Sequence, residues 1–163
     1  MILRLRIMPF AATALLLSTI GCSKKDDSVA SLGGTGSYKL DGNTITCQSK
    51  AYTNTTTSGG LSFDYLEIDL TTTPQPASGA ETLKLYFYKQ TGQPNNAYTL
   101  TDISFFTKGS MSPYAFANDV TTLSSSGNSF SGTFSAKAIN PVGSTTPGPY
   151  TAITNGVFTD ARP

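Results

Sequence analysis

The stretch Ser62-Phe63-Asp64-Tyr65-Leu66-Glu67-Ile68-Asp69-Leu70-Thr71-Thr72 decides the fold. Leu66, Ile68 and Leu70 fall on one side of an extended chain, and Tyr65, Glu67 and Asp69 on the other, because strand side chains alternate with period two. One side is apolar and the other polar, so the segment reads as a strand with one buried and one wet face. Pro74-Gln75-Pro76 ends it, since proline has no N–H to give to a ladder. Glu81 to Lys89 repeats the pattern, with Leu83, Leu85 and Phe87 against Lys84, Tyr86 and Tyr88. If the two strands pair, Lys84 opposes Glu67 or Asp69, a contact worth a few tenths of a kcal/mol.

On either side of this pair helical periodicity is missing and turn residues recur at short intervals, the spacing of a sandwich or barrel. Tyr38-Lys39-Leu40 and Thr44 to Cys47 flank Asp41-Gly42-Asn43, a strong hairpin signal. Ala51 to Gly60 reads as an edge strand running into a loop, and Gln90 to Asn96 as a turn. Tyr98 to Phe106 is a strand with a break expected near Asp102, while Pro113 leaves Met111 to Ala117 open. Val120 to Leu123 and Ser129 to Ile139 flank a turn, and Asn140 to Pro149 is a loop. Tyr150 to Phe158 is the last strand, where Asn155-Gly156 predicts a bulge or tight turn. The expected domain, residues 37–163, is all-β: a single antiparallel β-sandwich or a flattened up-and-down barrel of about eight strands.

The amino end carries a different message. Arg4 and Arg6 precede an apolar run from Ile7 to Ile20, and no acidic residue appears before Asp26. The run has the length of a signal-peptide core and falls short of the roughly 20 residues that span a bilayer. Gly21 leaves room for cleavage, and the thiol of Cys22 is placed for acylation. Ile20-Gly21-Cys22 resembles the lipobox of bacterial lipoproteins, with Thr19 where that box usually has leucine. The resemblance implies a signal peptide over 1–21 and lipidation at Cys22. A plain secretory signal or an uncleaved helix are the alternatives.

Ser23-Lys24-Lys25-Asp26-Asp27 resembles the surface-export segment that follows the lipidated cysteine in lipoproteins of Bacteroidota. The segment implies a leash, with Lys24, Lys25, Asp26 and Asp27 as the export signal and the outer face of the outer membrane as the address. Any polar leash would solvate the region equally well. Asp27-Ser28-Val29 resembles the O-glycosylation sequon of these bacteria, which makes Ser28 a candidate glycan site. Glycines and serines up to residue 36 complete a flexible tether over 22–36.

Composition excludes several functions. Of the 163 residues 142 remain once 1–21 are removed, enough for one domain with its own core. From Cys22 onward eight lysines and one arginine face ten carboxylates, a net of −1. Without a basic patch, nucleic-acid binding has no electrostatic footing. No second apolar run follows, so the anchor is the only membrane contact expected. The chain has no histidine, which removes the commonest general base and zinc ligand, and no tryptophan, the favoured sugar platform. Cys47 has no partner if Cys22 is acylated, and its strand setting reads as a small buried group.

Asp64, Glu67 and Asp69 are the densest carboxylates. Glu67 and Asp69, two apart on one face, stand at a separation of roughly 7 Å that a glycosidase tolerates. The wet face of an antiparallel strand gives the same pattern and is the commoner cause of it. Calcium ligation lacks a supporting loop motif. Tyr65, Tyr86 and Tyr88 beside Lys84 form a candidate ligand face, because exposed rings stack on sugars or anchor a protein; ordinary cross-strand packing is the alternative. Ser131 to Ser135, Ala138 to Pro141 and Ile153 to Thr159, with Tyr38 to Gly42 at the start, resemble a family of small Bacteroidota outer-membrane lipoproteins of unknown function. That resemblance implies β architecture and an envelope address, and no catalytic residues. The expected function is a non-catalytic surface binding module for a glycan, peptide or protein, without cofactor or metal. The alternatives are an accessory subunit of an outer-membrane complex and a hydrolase using Glu67 and Asp69.

Overall fold

The computed structural model describes residues 33–72, 80–139 and 148–163. Their strands are β1 (Gly34–Leu40), β2 (Asn43–Ser58), β3 (Leu61–Thr72), β4 (Thr82–Gln90), β5 (Thr99–Phe106), β6 (Tyr114–Ser126), β7 (Ser129–Ala138) and β8 (Ala152–Ala161). Each pairs antiparallel with its neighbour in sequence, and β8 pairs with β1, so the up-and-down sheet closes into a barrel and leaves no edge. Of the two expected architectures, the barrel is the one formed.

The interior is the set of alternating apolar residues. Leu66, Ile68 and Leu70 of β3 lie opposite Phe87, Leu85 and Leu83 of β4, and all six are buried. Ile103, Phe105, Phe116, Phe134, Ile153 and Phe158 complete the filling from the far wall. Each such side chain contributes about 1.5–3 kcal/mol of burial. Cys47 is buried among them as a free thiol, pushed up to about 12 by burial. That is the inert strand cysteine expected of its sequence setting.

Several boundaries differ from the sequence reading. β1 starts at Gly34, inside the stretch expected to be spacer. A Cβ on Gly34 would sit 1.9 Å from the Thr159 carbonyl oxygen, and one on Gly36 2.8 Å from Leu70. These glycines let β1 lie close to β8; they are packing residues rather than linker. β2 runs unbroken to Ser58, so Ala51 to Ser58 is no edge strand fading into a loop. Its distal half is exposed on both faces, a Thr-rich ribbon standing clear of the core. β6 is likewise one strand, and the interruption expected after Ala117 is a register shift between Asn118 and Val120.

Two local readings match. Asp41 (φ 49°) and Gly42 (φ 85°) form the two-residue hairpin turn, both in the left-handed region that type I′ requires. The Asp41 carboxylate also accepts hydrogen bonds from Thr151 N–H, Thr151 Oγ1 and Ala152 N–H, tying this turn to the start of β8. Asn155 (φ 51°) marks a bulge, with register shifts on both of its neighbours.

Candidate functional site

Alternation sorts the charged residues of β3 and β4 onto two sides of the wall. Glu67 and Asp69 point outward, whereas Asp64, an even-numbered residue like Leu66, points to the inner side at the barrel mouth. The three carboxylates that look like one cluster in the sequence are therefore two separate sites.

On the outer side Lys84 lies opposite Asp69 in register. Its Nζ donates to Glu67 Oε1 and, at 3.1 Å, to Asp69 Oδ2. Burial alone would lower the Lys84 ammonium, but the two carboxylates outweigh it and its pKa is raised. Burial, and then the hydrogen bond with Glu67, push the Asp69 carboxyl up to about 6. Its Oδ1 is buried with no partner among the described residues. Lys84 occupies the space between the two carboxylates, so they do not flank an open cleft as a glycosidase pair does.

Tyrosines surround this trio. Tyr65 and Tyr88 are opposite each other, 44 % and 38 % exposed, with ring centroids 6.5 Å apart. Tyr86 is half-buried beside Glu67, which lies between it and Tyr52 of β2 in register. A notch of about 240 Å³ opens here, lined by Tyr52, Tyr65, Tyr86 and Glu67. The structure thus brings Tyr65, Tyr86, Tyr88 and Lys84 onto one outer face and adds Tyr52. Sequence reading missed Tyr52 because the Thr-rich segment after it shows no buried alternation.

The barrel mouth holds a second arrangement. The inward positions of β4 read Leu83, Leu85, Phe87 and then Lys89, which is only 6 % exposed. Lys89 Nζ donates to Asp64 Oδ2 at 2.6 Å and lies 5.2 Å from the centroid of the Tyr98 ring. Asp64 Oδ1 accepts from Thr91 at 2.7 Å and Thr55 at 3.0 Å. Lys89 first, then Thr91, hold this carboxyl down at about 2. Tyr98 stacks edge-on against Phe130, centroids 6.2 Å apart. Around them lies a cleft of about 440 Å³ whose rim carries Asn54, Asn95 and Asn128. These come from β2, the short 3-10 turn after β4 and the β6–β7 turn, segments that no sequence pattern brings together.

The remaining sequence candidates, Cys22, Lys24, Lys25, Asp26, Asp27 and Ser28, lie outside the described residues. No group of three or more metal-ligating side chains converges among the described residues. No protein-family model, curated protein or solved structure matches the chain significantly.

Proposed function

We propose that the chain is a lipid-anchored protein of the bacterial cell envelope, held at Cys22 and facing outward from the outer membrane, that works by binding rather than by catalysis. Its partner is a glycan, peptide or protein of the envelope, met on the outer wall of β2, β3 and β4. Of these a glycan fits the wall best. The observation that carries this reading is the notch between Tyr52, Tyr65 and Tyr86, where ring faces border the Glu67–Lys84–Asp69 trio. Ring faces stack on the C–H faces of sugars, and the charged trio supplies donors and acceptors for hydroxyls.

A glycan array probed with the full chain tests it. Binding should drop at least tenfold in the Tyr52→Ala/Tyr86→Ala/Tyr88→Ala variant; binding that survives all three changes removes the surface. Hydrolysis of a bound glycan, abolished by Glu67→Gln, would replace the reading with an enzymatic one. Mass spectrometry of the mature chain tests the anchor, which fails if Cys22 is bare. The accessory-subunit alternative draws on one observation, a shallow groove of about 390 Å³ on β6–β8 flanked by exposed Val120 and Val157. Co-purification of a stoichiometric partner lost in Val120→Lys would favour it.

A further inference from the structure

We propose that the cleft in the barrel mouth is a separate binding site for one neutral sugar residue, held by Lys89, Asp64 and the side-chain amides of Asn95 and Asn128 against the Tyr98 ring. It adjoins the outer notch through Tyr65 and Asn54, which line both, whereas Lys89, Asp64, Asn95 and Asn128 line the cleft alone, so it can bind whether or not the tyrosine wall does.

Lys89 breaks the pattern of its own strand. The three inward positions before it on β4 are apolar and fully buried, and continuing that pattern would close the mouth with another hydrophobic side chain. A lysine there must be desolvated, and a buried ion pair is seldom worth more than the apolar side chains it displaces. The pair does stabilise the fold, but an apolar side chain closing the mouth would do so at least as well, so stability alone gives no reason for a lysine there. The donor count points the same way. An ammonium has three N–H groups; Asp64 takes one and the Tyr98 face another, leaving a third without an acceptor among the described residues. Asp64 accepts three hydrogen bonds and keeps one lone-pair site. Asn95 and Asn128 make no side-chain hydrogen bond among the described residues, and each offers both a donor and an acceptor.

The cleft is therefore an array of unused donors and acceptors beside an aromatic ring, of a size within the roughly 300–1,000 Å³ of small-molecule pockets. Its charge selects the ligand. Lys89 and Asp64 neutralise each other at 2.6 Å, so an anionic or cationic ligand would have to break a pair already made. A hydroxyl does not: it accepts from Lys89 and donates to Asp64 at once. Neighbouring hydroxyls of one sugar ring meet both groups, with the ring's C–H face toward Tyr98.

Saturation-transfer NMR on the full chain is the test, using the methyl glycosides of glucose, galactose, mannose and N-acetylglucosamine, with methyl glucuronide and glucosamine as charged controls. At least one neutral glycoside should bind, and Asn95→Ala/Asn128→Ala should weaken it at least tenfold without disturbing the fold, since both residues sit in exposed connections. Lys89→Met should do the same; if that chain fails to fold, the asparagine variant decides. Tyr52→Ala/Tyr86→Ala, which alters only the outer notch, should leave this Kd within twofold. The proposal is overturned if no neutral glycoside binds, if the charged sugars bind better, or if binding survives the asparagine changes. Loss in the tyrosine variant alone would overturn it while supporting the outer wall.

Discussion

Strands β2, β3 and β4 pair in unbroken register, Cys47 to Ser58 against Leu61 to Thr72 and Phe63 to Thr71 against Thr82 to Gln90. The wall opposite is different. Register slips at Asn118/Val120, Phe130/Gly132, Phe134/Ala136 and Ser37/Lys39 as β6, β7, β8 and β1 follow one another. A sheet closes into a barrel only if it coils, and bulges and glycines supply local bending. The two walls thus divide the work: the bulged one bends, and the regular one presents side chains at fixed spacing on both sides. The outer tyrosine site lies on the regular one, and the mouth cleft reaches from its rim across to the β6–β7 turn.

That division is breakable by substitution. The largest effect is expected at Phe134, whose buried ring packs over Gly156 in the bulged wall. Phe134→Ala should cost about 3–5 kcal/mol in urea unfolding. Next is Gly132→Ala, because the added methyl would lie 2.2 Å from the Thr122 carbonyl oxygen. A loss of about 1–3 kcal/mol is expected, against less than about 0.5 kcal/mol for Thr71→Ala in the regular wall. Equal tolerance of the two changes would end the contrast.

Lys84→Met tests the trio on the regular wall. It leaves Glu67 and Asp69 to repel each other and should cost roughly 1 kcal/mol at pH 7.5, a buried-pair loss discounted because Lys84 is a quarter exposed. The pH profile sharpens this. Asp69 titrates higher in the folded chain than its ordinary 3.8. The stability it adds is therefore complete below that value and is lost as pH rises through about 6. Asp69→Asn should flatten the profile over that window, seen as Tm against pH. Asp64 has the opposite sign: its contribution is present above its ordinary value and lost as pH falls through about 2. Smallest is Tyr88→Ala, about 0.5 kcal/mol or less on a wet face, measured in the same unfolding series.

The same contrast explains what could be read from the sequence. Leu66, Ile68 and Leu70 announce the regular wall because unbroken pairing keeps strict alternation. From the pair at Glu67 and Lys84 the outer trio was within reach, and the structure forms it. In the bulged wall the extra residue of β6 at Asp119 flips the phase, so β6 reads as two fragments, while Gly34 and Gly36 read as spacer because neither has a side chain to show alternation. The mouth was legible least. Lys89 looks like the polar end of a strand, and only closure of the barrel brings it under Tyr98, Asn95 and Asn128. Asp64 stands close in sequence to Glu67 and Asp69, yet alternation turns it to the opposite side of the wall.

The first residues of β1 pair with the last of β8, Thr35 against Thr159, so the chain ahead of the barrel joins it at the end that carries the mouth. Gly33 and Pro163 thus stand on the same rim as the opening, and the Asp41–Gly42 turn at the opposite end. A bulky group attached at either of those residues would therefore crowd the opening, whereas one attached at the Asp41–Gly42 turn would leave it clear.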